Sequence, residues 1–104
     1  MNAPALYEVE ATFADHTVAE RWVRWMLDEH ITEVCRCGAT MGRLIRIDGE
    51  KVRYVAQYEF ASPGQLENYL QHHAPRLRAE GASRFPLELV SYSRRTGIIL
   101  RPGG

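Results

Sequence analysis

The residues best suited to chemistry lie in one short segment that contains a histidine and both cysteines of the chain. His30 is followed by Cys35 and Cys37. An imidazole titrates near neutral pH, so His30 is the candidate catalytic residue, as a general base or as a ligand to a cofactor. In the alternative interpretation His30 ends a helix, where an imidazolium interacts favourably with the helix dipole.

The two cysteines raise a metal-binding hypothesis that uses His30, Cys35 and Cys37. Thiolates favour Cu(I) and Zn²⁺, and the histidine could supply a third ligand. The Cys-x-Cys spacing is a weaker signal than Cys-x-x-Cys, and the sequence has no second cysteine pair to complete four ligands. We therefore favour no metal site and keep this hypothesis as an alternative. A disulfide between residues i and i+2 is disfavoured by geometry.

Aromatic residues supply a second group of candidates. Trp22, Trp25 and Met26 repeat at helical spacing, which favours packing of a helix onto a sheet. Trp22 and Met26 are four residues apart and share a line along the helix, so we assign them to the core and Trp25 to its flank. The alternative is a pocket between sheet and helices, with an apolar wall and a few polar groups. Its candidate ligand-binding residues are Trp25, Tyr54, Gln57 and Tyr58.

A cluster of basic residues follows in the second half of the chain and could bind an anion. It comprises His72, His73, Arg76, Arg78 and Arg84. The same residues also fit a solvated helix face with pairs such as Arg76 and Glu80, which is the interpretation we favour. The sequence contains no P-loop, no dinucleotide-binding glycine motif and no supported Ser-His-Asp order.

The composition limits the classes of function. The chain has 104 residues, 13 basic and 13 acidic side chains and a formal net charge of zero. This balance argues against nucleic acid or an anionic membrane as a partner. No run of about 18 apolar residues would span a bilayer. Because the N-terminus lacks the features of a secretory signal, we expect a cytoplasmic protein.

The first half of the chain predicts a strand, a helix and a hairpin. Residues 5–13 alternate with period two, which is typical of a strand. Thr17 and Glu20 form a capping box for a helix over residues 17–30, with an extension to Val34 as an alternative. Runs 39–47 and 52–61 flank Asp48-Gly49, which predicts a hairpin with a type I′ turn.

The second half predicts another helix and the last strand. Ser62 and Pro63 are a typical N-cap and first helical residue, and Pro75 should kink or break this helix near Ala74. Residues 87–93 form the next predicted strand. We expect a turn or bulge over 94–97 and a short edge strand over 98–100.

The resulting order, β-α-β-β-α-β, predicts an α+β fold of the ferredoxin-like type. It has a four-stranded antiparallel sheet with two helices on one face. We expect one domain over residues 1–104, with a core over about 5–93 and a flexible tail over 101–104. The second sheet face should be partly apolar and therefore suited to dimerisation. The residues expected there are Leu6, Leu44, Val55 and Val90.

Four segments resemble a known bacterial family. They are residues 22–34 (WVRWMLDEHITEV), Gly42-Arg43-Leu44, residues 54–58 (YVAQY) and residues 73–78 (HAPRLR). Together they resemble the family called domain of unknown function 4286, over roughly residues 5–92. The family is similar to the dimeric α+β barrels, in which two ferredoxin-like subunits press their sheets together. That superfamily includes cofactor-free monooxygenases, haem-handling enzymes and lactone isomerases.

The resemblance implies the fold and a homodimer, but it implies no reaction. The chain departs from the family at Cys35-Arg36-Cys37, where a short aliphatic residue or Thr is expected before the glycine. Three functions remain open, and none specifies a cofactor. The first is binding or transformation of a small apolar or aromatic molecule, with His30 and a tyrosine moving protons. The others are a non-catalytic dimeric accessory or regulatory module, and the metal-binding protein described above.

Overall fold

One antiparallel sheet organises the chain. The computed structural model describes residues 3–101. The strands are β1 (Ala5–Phe13), β2 (Met41–Ile47), β3 (Val52–Phe60) and β4 (Val90–Ile98). They lie in the order β2-β3-β1-β4, and each neighbouring pair is antiparallel. The predicted ferredoxin-like arrangement is therefore confirmed.

The first helical segment is longer than predicted and contains an irregular turn. Helix α1 (His16–Trp25) continues into a π-helical segment (Met26–His30) and then into α2 (Ile31–Arg36). The second helical segment consists of α3 (Pro63–His72) and α4 (Ala74–Arg84). Within residues 3–101, no helix is both long and apolar enough to cross a membrane.

The helix starts follow capping chemistry. Asp15, and not Thr17, caps α1, because its carboxylate accepts hydrogen bonds from the backbone N–H groups of Thr17 and Val18. The predicted cap of α3 is confirmed, since Ser62 Oγ accepts from the Gln65 N–H at 3.2 Å. The break before Pro75 is also confirmed: His73 has φ −123° and separates α3 from α4.

The two faces of the sheet have different surroundings. Side chains alternate along each strand, so Tyr7, Ala11 and Phe13 of β1 share one face with Ala56 and other core residues. We call this side, which the helices cover, the helix face, and the other side the open face. The strand register places Leu6 and Val55 on the open face, as expected. The prediction was wrong for Leu44 and Val90. The register pairs Leu44 with Ala56 and Val90 with Phe13, so both residues lie on the helix face.

The open face carries a chain of side-chain hydrogen bonds across all four strands. Arg43 Nε donates to Gln57 Oε1 at 2.8 Å, and the Gln57 amide donates to the Glu8 carboxylate. Arg95 Nε donates to Glu8 Oε1 at 2.6 Å. Burial opposes ionisation of Glu8, but the bonds from Arg95 and Gln57 outweigh it and hold the pKa of this carboxyl below its ordinary value.

Two turns and the C-terminal strand differ from expectation. The β2–β3 hairpin forms, but of its two central residues only Gly49 has a positive φ and Asp48 does not, so the turn is not type I′. Strand β4 runs unbroken to Ile98 in place of a turn over 94–97, because β1 pairs with it along its whole length. Of the predicted flexible tail, residues 102–104 lie outside the described part, and Arg101 donates to Glu59 Oε1 at 2.9 Å.

Candidate functional site

A cavity of about 330 Å³ lies between the helix face of the sheet and the helices. We call it the inner cavity. It is lined by Tyr7, Val9, Trp22, Trp25, Met26, His30, Tyr58, Tyr69, Leu77, Arg78, Ala79, Gly81, Ala82, Leu87, Tyr92 and Arg94. Its volume falls within the range of small-molecule sites, and most of its wall is aromatic or aliphatic.

The cavity has a buried end and an exposed end. Trp22, Met26 and Tyr58 are at most 3% exposed and form the buried end. Arg78, Arg94 and Leu87 are exposed and form the mouth, where Leu87 belongs to the turn between α4 and β4. A ligand entering at the mouth would therefore pass two guanidinium groups before it reaches the aromatic interior.

Two buried polar atoms on the cavity residues lack a hydrogen-bond partner among the residues that the structure describes. They are Trp25 Nε1 and Tyr58 Oη. In contrast, the neighbouring Trp22 Nε1 donates to Tyr92 Oη at 3.0 Å. Burial raises the pKa of Tyr58, so its hydroxyl stays protonated. Both unpartnered groups are therefore hydrogen-bond donors, and a buried donor without a partner costs free energy.

His30 lies inside a continuous helical segment and not at a helix end. It is the last residue of the π-helical segment, and its ring centroid is 4.6 Å from that of Trp25. Burial lowers the pKa of the imidazole to about 4, and the Glu33 carboxylate offsets only part of that effect. His30 is therefore neutral near pH 7 and carries one ring nitrogen that accepts protons.

A second depression, the outer cleft, lies on the other side of His30. Its volume is about 290 Å³. Its lining residues are Asp28, Glu29, His30, Thr32, Glu33, Arg36, Arg76, Leu77 and Glu80. His30 and Leu77 line both the cavity and the cleft, so the imidazole lies between an apolar interior and a polar, solvent-accessible surface.

The four predicted ligand-binding residues lie in three different environments. Trp25 and Tyr58 line the inner cavity together with His30. Tyr54 lies on the helix face but packs against Phe13 and Trp22, with ring centroids 6.2 and 6.0 Å away. Gln57 belongs to the open face, where it bonds Glu8, because side chains alternate along β3. The sheet therefore separates Gln57 from the cavity.

Trp25 is a core residue and not the flank of the stripe. It is 7% exposed, against 1% for Trp22. Helix α4 covers it, with the Phe85 ring centroid 5.6 Å away and the Gly81 backbone close to its outer edge. The assignment of Trp25 to the flank was therefore wrong, because sequence spacing within one helix does not show which second helix packs beside it.

The cysteines do not assemble with His30 into a ligand set. Cys37 Sγ lies 3.9 Å from a Glu33 carboxylate oxygen and 3.7 Å from Arg76 Nη2. Burial raises the pKa of the Cys35 thiol, which disfavours the thiolate that a metal requires. Within residues 3–101, no group of three or more His, Cys, Asp or Glu side chains is placed to hold a metal ion.

Several cavity residues were not among the predicted site residues. Tyr7 and Tyr69 have ring centroids 6.0 Å apart and lie on different elements, β1 and α3. Arg94 belongs to β4, in a stretch predicted to be a turn. The arginines of the predicted basic cluster do not form one site. Arg78 lines the inner cavity and Arg76 lines the outer cleft. Arg84 lies 3.9 Å from the carboxylates of Glu29 and Glu80.

Residues 5–99 match the family described as "Domain of unknown function (DUF4286)". The chain belongs to this family. The match covers the whole sheet, both helical segments and every residue that lines the inner cavity. Among curated proteins, none matches the chain in sequence.

Solved structures share this fold at low sequence identity. A dimeric ferredoxin-like protein from an uncultured marine organism is 12% identical with a TM-score of 0.79, over 98% of this chain and 100% of that one. A candidate antibiotic biosynthesis monooxygenase from Nitrosomonas europaea is 11% identical with a TM-score of 0.68, over 100% and 97%.

A third structural neighbour is described as an enzyme. The cofactor-independent oxygenase SnoaB of Streptomyces nogalater, in a mutant form, is 15% identical with a TM-score of 0.65, over 94% of this chain and 95% of that one. At such identities the likeness establishes the fold of the DUF4286 chain and carries no reaction over to it.

Proposed function

We propose that this protein binds a small, largely apolar or aromatic molecule in the inner cavity and that His30 exchanges a proton with it. The observation that carries the proposal is the position of His30. A neutral imidazole lines an aromatic cavity of about 330 Å³ on one side and a polar cleft on the other.

The cavity favours a ligand with an apolar body and one oxygen atom near its buried end. Aromatic side chains supply most of the wall, which rewards burial of apolar surface. The unpartnered donors Trp25 Nε1 and Tyr58 Oη would gain an acceptor if a ligand carbonyl approached them. A small ketone with an aromatic ring combines both features.

The proton exchange needs no second reactant. The C–H bond next to the ligand carbonyl breaks, and its proton passes to the free ring nitrogen of His30. The electron pair stays on the ligand as an enolate, whose oxygen accepts hydrogen bonds from Trp25 and Tyr58. The negative charge of the enolate beside the ring offsets the burial that disfavours the imidazolium. The imidazolium then returns a proton to the same carbon. Because His30 also lines the outer cleft, it can first exchange that proton with solvent.

The structural neighbours support this proposal only in general terms. Two of them are described as a cofactor-independent oxygenase and a candidate monooxygenase. The fold can therefore house chemistry on small molecules. The proposal for the present chain ends at proton exchange.

The test uses 2-tetralone, a neutral aromatic ketone with acidic C–H bonds, in D₂O. We expect the protein to bind it and to accelerate deuterium incorporation next to the carbonyl, as measured by NMR. His30→Gln should bind the ketone but lose the acceleration. Binding without exchange by the unaltered protein would contradict the catalytic part and favour a non-catalytic module.

A pair of variants on α4 tests the location. Ala82 lines the inner cavity, whereas the next residue, Ser83, is exposed and outside it. Ala82→Phe should fill the cavity and abolish binding of 2-tetralone in calorimetry, while Ser83→Phe should leave binding unchanged. Equal binding by both variants would place the ligand elsewhere.

We also propose that two copies of the chain pair through the open face. Met41, which is 38% exposed, lies on this face by register, together with Ile45 and Ile47 of β2 and next to the buried Val55 of β3. These apolar groups lie on β2 and β3, beside the hydrogen-bonded chain of Arg43, Gln57, Glu8 and Arg95. A structural neighbour described as dimeric supports this assembly, because the fold is shared.

A further inference from the structure

The charges that line the inner cavity have one sign. Among residues 3–101, the charged side chains that line it are Arg78 and Arg94, and no aspartate or glutamate does so. The outer cleft provides the contrast, since four carboxylates and two arginines line it. His30 is neutral near pH 7 and contributes no charge to either side. The cavity mouth is therefore a cationic entrance to an apolar interior.

Neither arginine is neutralised by the protein. Within residues 3–101, no carboxylate oxygen lies within 4.0 Å of a guanidinium nitrogen of Arg78 or Arg94. Their partners are aromatic and uncharged. Arg78 Nη2 donates to Tyr7 Oη at 3.0 Å, and the Arg94 guanidinium carbon lies 5.0 Å from the Tyr92 ring centroid.

These aromatic contacts position the guanidinium groups at the cavity. Tyr7 and Tyr92 both line it, and each restrains one arginine that extends from a different element, α4 or β4. Each contact leaves other N–H groups of the guanidinium available, because an arginine has five donors. The parallel N–H donors of a planar guanidinium group match the two oxygen atoms of a carboxylate.

We propose that Arg78 and Arg94 bind a carboxylate group on the ligand whose apolar body occupies the inner cavity. The inference rests on the proposed function and adds the class of ligand: a small aromatic or alicyclic keto acid, bound as its carboxylate. The carboxylate lies at the mouth, where both arginines are exposed, so it stays partly hydrated. The apolar body fills the interior, with the ketone oxygen near Trp25 Nε1 and Tyr58 Oη as in the proposed function.

The test compares two probes of the same shape, 2-naphthoate and the uncharged 2-naphthamide, by isothermal titration calorimetry. We expect the anion to bind about tenfold more tightly than the amide at low salt, a difference that high salt reduces. Arg78→Met and Arg94→Met should each weaken binding of the anion by about tenfold and change binding of the amide by less than about twofold.

The control is Arg21→Met, which removes an exposed arginine outside the cavity lining. It should leave the affinity for both probes unchanged. Equal affinities for the anion and the amide would overturn the carboxylate inference, and so would equal losses in all three variants. Either result leaves the proposed function standing if 2-tetralone binds and exchanges deuterium. Failure of both naphthalene probes and 2-tetralone to bind would overturn the inference and the proposed function together.

Discussion

The rings of Trp25 and His30 lie with their centroids 4.6 Å apart, although the two residues are five positions apart in the chain. An α-helix brings residues i+3 and i+4 beside residue i and turns residue i+5 away from it. In the π-helical segment Met26–His30 the hydrogen bonds run from i to i+5. The Ile31 N–H accordingly donates to the Met26 carbonyl, and His30 lies over Trp25.

The burial of His30 predicts a pH-dependent loss of stability. The pKa of the imidazole is about 4 in the folded chain, against 6.5 for an exposed histidine. Between these values the unfolded chain holds a proton that the folded chain lacks, so stability falls as the pH falls from 6.5 to 4. The loss should reach at most about 3 kcal/mol.

Urea unfolding across that pH interval measures the effect. His30→Gln should remove this part of the pH dependence, whereas His16→Gln, at an exposed position, should retain it. Identical pH profiles for the unaltered protein and His30→Gln would contradict the assignment.

The two tryptophans should respond differently to replacement by phenylalanine. Trp22→Phe removes a hydrogen bond to Tyr92, whereas Trp25→Phe removes an indole N–H that has no partner among the described residues. We expect Trp22→Phe to lower the free energy of unfolding by about 1 kcal/mol more than Trp25→Phe. Denaturant unfolding of both variants tests the order, and a larger loss for Trp25→Phe would refute it.

Two glycines should respond in opposite directions to alanine. A Cβ at Gly42 would lie 2.8 Å from Ile31 Cγ2 and 3.0 Å from Tyr58 Cδ1, so Gly42→Ala should destabilise the fold by about 1–3 kcal/mol. A Cβ at Gly81 would make an ordinary 3.4 Å contact with Trp25, and alanine favours the helix by up to about 1 kcal/mol.

Gly81→Ala should also reduce the room in the inner cavity and weaken binding of 2-tetralone, while raising the melting temperature. Thermal unfolding and calorimetry measure the two effects. A destabilised Gly81→Ala variant would mean that α4 packs too closely against Trp25 to accept the added methyl group.

The proposed pairing of two copies predicts the mass in solution. Sedimentation at micromolar concentration should give twice the monomer mass of 11.9 kDa. Ile45→Glu places a charge on the open face and should yield a monomer. Leu27→Glu changes an exposed leucine of the helical segment, 59% exposed, and should remain dimeric. A monomeric unaltered protein would rule out this pairing.

Much of the fold could be predicted from local patterns, because alternation and capping act over a few residues. The alternation in 5–13 and 52–61 predicted both central strands, and Ser62 and Pro75 predicted the start of α3 and the presence of a break after it. The same alternation, applied to β3, separates Gln57 from Tyr58 and would have removed Gln57 from the predicted pocket. Strand β4 was harder to predict, because its residues 93–97 are polar or glycine and form a strand through pairing with β1.

The residues of the candidate site could be predicted only where they lie on a helix or strand whose apolar residues repeat at regular spacing. Trp25, His30 and Tyr58 were found in this way. Arg94 was missed because a residue assigned to a turn cannot be assigned to a face. The sequence also gave no sign of the π-helical segment, since propensities for α- and π-helix do not differ enough to locate one wide turn.

The positions of the two tryptophans have a consequence for optical measurements. The chain contains no tryptophan besides Trp22 and Trp25. Both indoles are at most 7% exposed and both line the inner cavity. The tryptophan fluorescence of the protein therefore originates at the cavity wall and should be blue-shifted in the folded state. A molecule entering the cavity will change this emission without any label, and so will protonation of the imidazole beside Trp25.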